Sequence, residues 1–118
     1  MADDCLFCKI IAGDLPSNKV YEDADIFAFE DIKPLAPVHV LVVPKKHIVD
    51  MLAASAEDEA LLGKLLLRAN DIARKLGLAE SGFRYVLNTG ENSRRTIFHI
   101  HLHILGCLLY TSPSPRDA

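Results

Sequence analysis

Ile97-Phe98-His99-Ile100-His101-Leu102-His103-Ile104-Leu105 sets three of the chain's five histidines at alternate positions between apolar residues. A period of two with β-branched and aromatic residues reads as a β-strand, because successive strand side chains point to opposite faces. Phe98, Ile100, Leu102 and Ile104 would then face a core, and His99, His101 and His103 would share the other face. At a rise of roughly 3.3 Å per residue, neighbouring histidines stand about 7 Å apart, close enough to handle adjacent parts of one phosphate-sized group. A single histidine on a sheet face is usually a solvated polar residue, but three in register favour chemistry over that reading.

Working outward, Phe83 to Leu87 is another alternating segment, and the turn-rich Asn88 to Ser93 leads from it into the histidine strand. Leu62, Leu65, Leu66, Ala69, Ile72, Ala73 and Leu76 recur at steps of three and four. They read as the apolar stripe of a long helix that starts near Ser55, where Ser55 to Asp58 matches a capping box, and stops at Gly77. Val38 to Val43 is a nearly continuous apolar strand carrying His39 and closed by Pro44. Asp31 to Pro37 is loop by its prolines. Lys19 to Tyr21 and Ile26 to Glu30 read as a hairpin about an acidic turn, and Cys5 to Ala12 as a short helix ended by Gly13. Consecutive strands without intervening helices pair antiparallel. The expected class is α+β, an antiparallel sheet of about five strands with one long and one short helix.

With 118 residues, half of them hydrophobic, the chain suits one domain with a modest core. A formal net charge of −3 and the lack of a basic run point away from nucleic acid and from anionic membrane surfaces. The first residues lack a charged lead and a long apolar core, and no apolar run reaches bilayer length, so a cytoplasmic protein is expected. In that compartment Cys5-x-x-Cys8 points to metal or redox chemistry rather than a disulfide. Cys5, Cys8, His47 and His99 supply two thiolates and two imidazoles, a set suited to tetrahedral zinc. The competing reading is two reduced cysteines on a buried helix face. Thioredoxin-type redox chemistry is disfavoured, since no strand precedes the motif.

His99-Ile100-His101-Leu102-His103-Ile104-Leu105 resembles the His-φ-His-φ-His-φ-φ signature of the histidine triad (HIT) superfamily of nucleotide hydrolases and transferases. Cys5 to Ile11, Phe29 to Ile32 and Ala36 to His47 agree with its histidine triad nucleotide-binding (Hint) branch in the right order, and the resemblance runs from about Cys5 to Gly106. It implies a HIT-like fold, a homodimer with one sheet spanning both subunits, and hydrolysis of purine nucleoside phosphoramidates to the nucleoside 5′-monophosphate. No organic cofactor is implied; the resemblance to several relatives with this Cys-x-x-Cys implies a structural zinc that ties the first helix to the sheet, whereas other relatives lack the cysteines.

By the same resemblance His101 is the nucleophile, with His99 and His103 completing the triad and His103 donating to charge that develops on the phosphate. A histidine's reference pKa near ~6.5 leaves much of it neutral at cytosolic pH, and one ring nitrogen can attack if the other is held protonated. Thr96 takes the place of a serine beside the scissile bond, and His39 borders the site and orients the histidines. Phe29 and Ile32 are implied for the base, Asp31 for the ribose hydroxyls and Asn88 for the phosphate region, with Leu15 and Leu41 completing an apolar slot. For Phe29, Ile32, Leu15 and Leu41, plain core packing is the alternative.

Two stretches depart from the pattern. Arg94-Arg95-Thr96 stands where the Hint branch carries Gly-Gln-Ser or Gly-Gln-Thr, so backbone approach and one phosphate ligand are lost unless arginine substitutes. After Gly106, Cys107 to Ala118 has no periodicity continuous with the strand and resembles the translation of a transposase-based sequencing-library adapter. Residues 1–106 are therefore read as a single HIT domain and 107–118 as a non-native-looking tail, the alternative being a natural extended terminus. Other functional readings are a dinucleoside polyphosphate hydrolase, a non-catalytic nucleotide- or zinc-binding module, and a catalytic zinc held by the three histidines themselves.

Overall fold

The computed structural model describes residues 5–90 and 97–107. Its elements are helix α1 (Leu6–Ala12), strands β1 (Lys19–Glu22), β2 (Ile26–Glu30) and β3 (Val38–Pro44), helix α2 (Glu59–Lys75), and strands β4 (Phe83–Val86) and β5 (Leu102–Gly106). The strands form one antiparallel sheet in the order β1-β2-β3-β5-β4. This is the expected α+β arrangement, with one long helix and one short one.

Both faces of the central strands are buried, which explains why β3 reads as an almost unbroken apolar run rather than an alternating one. Ile26 and Ala28 of β2, Val40 and Val42 of β3, and Leu102 and Ile104 of β5 pack with Leu65, Ala69, Ile72 and Ala73 of α2. The opposite face sets Phe27, Phe29, Leu41 and Val43 against Cys5 and Phe7 at α1. The β1–β2 hairpin is closed by Asp23, whose carboxylate accepts the N–H groups of Asp25 and Ile26 (both 2.8 Å) and the Tyr21 hydroxyl (2.6 Å). Gly13 and Gly77 end the two helices in the left-handed region, at φ 87° and 80°, as helix-stopping glycines do.

Three expectations are corrected. First, α2 proper begins at Glu59, because a 3₁₀ turn over Ala56–Asp58 precedes it, with the Asp58 carboxylate accepting the Ser55 N–H (3.0 Å). Second, Leu66 and Leu76 are 46% and 39% exposed; a straight helix on a sheet buries one stripe, and these two fall beside it. Third, the histidine stretch is a strand only from Leu102. Upstream, Ile100 donates its N–H to Ile48 (2.8 Å), so the chain follows the segment after β3 instead of the sheet ladder. Phe98, assigned to the core by alternation, is consequently 54% exposed, while Ile100 stays buried.

Candidate active site

His39 on β3 stands opposite Leu105, and His103 on β5 stands opposite Leu41. The two histidines are therefore diagonal neighbours on the α1-facing side, within reach of each other across the ladder. Their hydrogen bonds have a readable direction. Leu35 donates its backbone N–H to His39 Nδ1 (3.0 Å), so that nitrogen is an acceptor and Nε2 carries the hydrogen. His39 Nε2 then donates to His103 Nδ1 (2.8 Å), which leaves the hydrogen of His103 on Nε2. That Nε2 is buried and has no hydrogen-bond partner among the described residues. Burial, reinforced by His101 and His39, pushes His103 down to about 4, and burial also holds His39 below the ordinary histidine range against the pull of Asp31. Both rings are neutral at physiological pH.

His101 lies just before β5. Its Nδ1 donates to the carbonyl oxygen of His99 (2.8 Å), which places the ring lone pair on Nε2. The His101 and His103 rings meet edge-on at 4.9 Å and both line a cleft of about 550 Å³. Leu6, Phe7, Ile10, Leu15, Phe29 and Leu41 form much of its apolar wall, and Asp31 and Ile32 also line it. Ile32 is 85% exposed, which removes core packing as the reason for its presence there. Asp31 has a local structural task as well, since its carboxylate accepts the Lys33 N–H (2.9 Å). Asn88 is half-buried in the segment after β4 and outside this lining, and Thr96, Arg94 and Arg95 lie outside the described residues.

The third signature histidine points elsewhere. His99 is fully buried, and its Nε2 donates to the carbonyl of Pro44 (2.8 Å), so Nδ1 presents a lone pair. That Nδ1 lies 3.3 Å from Cys5 Sγ, 3.5 Å from Cys8 Sγ and 3.1 Å from His47 Nδ1, while Cys8 Sγ and His47 Nδ1 are 3.3 Å apart. Zinc bonds of about 2.3 Å to sulfur and 2.0 Å to nitrogen make tetrahedral edges of roughly 3.3–3.8 Å, shortest between nitrogens and longest between sulfurs. The four donors thus fit the ion, and the Pro44 carbonyl provides the outer hydrogen bond that orients a metal-bound imidazole. Burial pushes His99 down to about 4 and, with Cys5 adding, pushes the Cys8 thiol up to about 11. A neutral imidazole is ready to ligate, whereas the Cys8 thiol would need a cation to ionise. The Lys46–Asp58 pair (2.5 Å) fixes the residue before His47 to the approach to α2.

This geometry separates the three histidines. His99 belongs to the thiol group, His101 and His103 to the cleft, so no single metal site is formed by the three. Among the described residues a second group, Asp31, His39 and His103, also has its donor atoms close together, but there the two imidazoles already face each other in a hydrogen bond.

Sequence reasoning missed the contribution of α1 to the cleft. Leu6, Phe7 and Ile10 flank the cysteines, and their apolar spacing was the available signal. It also had no means of identifying two backbone partners, the Leu35 N–H and the Pro44 carbonyl.

The sequence model of the HIT domain matches residues 12–107. An uncharacterized HIT-like protein of Synechocystis is 51% identical over 106 residues, covering 90% of this chain and 92% of that protein. The purine nucleoside phosphoramidase of Escherichia coli K12 is 42% identical over 106 residues, covering 90% of this chain and 89% of the enzyme. The crystal structure of a HIT family hydrolase from Legionella pneumophila superposes with a TM-score of 0.89 at 44% identity, over 93% of this chain and 98% of that one. These matches take in both strands that carry the paired histidines, and the chain accordingly belongs to the HIT domain family.

Proposed function

We propose that this protein, within the Hint branch, hydrolyses purine nucleoside phosphoramidates to the nucleoside 5′-monophosphate through a nucleotidyl-histidine on His101. The observation that carries the reading is the directed chain from Leu35 through His39 to His103, which ends in a buried Nε2–H on a ring that meets the His101 ring edge-on at 4.9 Å, with the His101 lone pair on Nε2. A nucleophile and a hydrogen-bond donor side by side, at the floor of an apolar cleft, suit attack on a phosphorus whose oxygens gain charge.

In the first step His101 Nε2 forms a bond to phosphorus and the P–N bond to the amine breaks, the amine leaving with a proton at its nitrogen. In the second, water attacks phosphorus and gives up one proton to solvent, balancing the proton taken up with the amine, the bond to His101 breaks, and the monophosphate departs with the imidazole restored. His103 donates to the phosphoryl oxygen in both steps, and its neutral state lets it do so without exchanging a proton. Thr96 is our candidate to carry the proton to the amine. His39 orients His103, Phe29, Ile32, Leu15 and Leu41 receive the base, Asp31 binds the ribose hydroxyls, and Asn88 serves the phosphate. Similarity to the phosphoramidase of Escherichia coli supports the choice of substrate.

Cys5, Cys8, His47 and His99 would hold a structural zinc, which when bound cross-links α1 to the sheet. The protein works in the cytoplasm as a homodimer with one sheet spanning both subunits, which requires pairing at an edge strand, β1 or β4. No helix among the described residues is long and apolar enough to cross a membrane. Residues 1–106 form the functional domain, and residues 108–118 of the tail lie outside the described structure.

Incubation with adenosine 5′-phosphoramidate, followed by phosphorus NMR, tests this directly. AMP should form with the wild type and not with His101→Ala. Tight AMP binding without turnover would replace the hydrolase with a nucleotide-binding module.

A further inference from the structure

We infer that Phe7 is a positioning residue for His101, and that the Cys5-Cys8-His47-His99 group controls, through Phe7 and the His99 peptide oxygen, how the His101 ring meets the cleft. The inference rests on the reading of His101 as nucleophile. It gives the metal-binding group a part in turnover beyond stabilising the fold.

Phe7 lies between the two cysteines on α1 and is 2% exposed. Its ring meets His101 edge-on at 5.1 Å, His99 at 6.1 Å and Phe29 at 5.4 Å. Aromatic pairs at these separations favour one relative orientation. On another side, His101 is held by the hydrogen bond from Nδ1 to the His99 carbonyl (2.8 Å). Both restraints lead back to one place. Phe7 goes where α1 goes, and the cysteines at either side of it fasten α1 to His99; the His99 carbonyl goes where its own ring is fixed.

That place has two distinct states. The His99 Nδ1 lone pair faces Cys5 Sγ, Cys8 Sγ and His47 Nδ1, all within 3.5 Å. One lone pair accepts one good hydrogen bond, and Cys8 Sγ also has His47 Nδ1 at 3.3 Å, so without a cation several hydrogen-bonding arrangements of the four groups have similar energy. With a divalent cation all four donors point at one centre and a single arrangement remains. Filling the group therefore narrows the positions open to α1, Phe7 and His99, and with them the orientation of His101. A misplaced nucleophile slows the reaction steeply, by about tenfold or more for a fraction of an ångström to 1 Å, while substrate binding on the far wall of the cleft is little changed.

The test begins with the full-length wild type stripped by chelator under reducing conditions. Long-range ¹H–¹⁵N spectra of its histidines are recorded before and after one equivalent of Zn²⁺. The His101 resonances should be multiple or broadened when stripped and collapse to one set when loaded. Hydrolysis of adenosine 5′-phosphoramidate should gain about tenfold in kcat with KM within twofold. In Phe7→Leu, cobalt(II) should give the thiolate charge-transfer absorption of a filled site, yet the ratio of loaded to stripped kcat should fall to near one. Cys8→Ser, read in the histidine spectrum alone, should resemble the stripped wild type and serves if Phe7→Leu does not fold. Identical His101 spectra in the stripped and loaded wild type would overturn the inference, as would a wild-type response to zinc in Phe7→Leu. If the spectra respond but neither form releases AMP, the coupling stands and the phosphoramidase reading fails.

Discussion

His39→Leu isolates the orientation of His103 from the chemistry at His101. Leucine is similar in volume and stays apolar on β3, so the packing cost is small. Two hydrogen bonds are lost. The Leu35 N–H belongs to a residue that is 75% exposed and can turn to water at little cost. His103 Nδ1, by contrast, loses a 2.8 Å donor on the inner side of its ring and gains nothing in exchange. An unsatisfied buried acceptor costs about 1–3 kcal/mol, so the variant should lose about 2 kcal/mol in urea unfolding. Catalysis should suffer more. Without the His39 donor the His103 ring can rotate, and its Nε2–H no longer waits where the phosphoryl oxygen will be. Loss of such a supporting hydrogen bond typically costs about 10–100-fold, here expected in kcat with little change in KM. The assay is AMP release from adenosine 5′-phosphoramidate, paired with ¹⁵N spectra that report which nitrogen of His103 carries hydrogen. A folded His39→Leu protein with kcat within threefold of wild type would refute the reasoning, as would a wild-type His103 protonated on Nδ1 instead of Nε2.

Acid should weaken the fold in a defined window. His103 is held at about 4 in the folded chain against about 6.5 unfolded, and His39 shifts the same way, so the unfolded chain binds more protons. The stability the neutral His103 ring contributes is complete above about 6.5 and is lost, by about 1.4 kcal/mol per pH unit, as pH falls toward 4, and His39 adds to the loss in the same direction; urea midpoints at pH 7, 5.5 and 4.5 should show the slope, and His103→Gln should reduce it. Asp23→Ala removes the acceptor of two backbone N–H groups and of the Tyr21 hydroxyl, and should cost about 2 kcal/mol. An unchanged urea midpoint for Asp23→Ala would mean the hairpin turn closes without its side chain. In Gly106→Ala the new Cβ would lie 2.5 Å from the side chain of Leu78, which is buried in the core, so a loss of about 1–3 kcal/mol is expected in thermal melts. No loss there would show that Leu78 can shift at no cost.

Where the sequence could be read, local rules and tertiary packing agreed. Ile26 to Glu30 alternates between two buried faces, and its limits emerge from the pattern because Asp23 and the prolines of 31–37 punctuate it on either side. The glycine after each helix marks its end for the same kind of reason. What could not be read was set by partners distant in sequence. Leu66 has the same local spacing as Leu65, and only the width of the sheet beneath α2 decides that one is buried and the other exposed. At the site, the residue types were legible as a group, but the division of labour among them was not. His99 and His101 differ by two positions, yet one is drawn to cysteines more than ninety residues earlier while the other faces the cleft.

The departure of the histidine stretch from strand geometry is what makes that division possible. In an unbroken strand paired on both sides, backbone carbonyls are committed to the ladder and three alternate rings would stand about 7 Å apart, equivalent in aspect. Beginning β5 at Leu102 leaves only His103 on the sheet, where β3 can supply His39 as a diagonal partner. Two residues earlier the chain is bound to Ile48 instead, and the His99 carbonyl becomes available to its own neighbour, the His101 ring. The same change of direction carries the His99 side chain toward α1 and the cysteines. Ile100, Leu102 and Ile104 hold the segment in the core throughout, so the rings diverge while the backbone between them remains anchored. A regular alternation in the sequence thus becomes three unlike environments because the backbone leaves the ladder between the second and the third histidine.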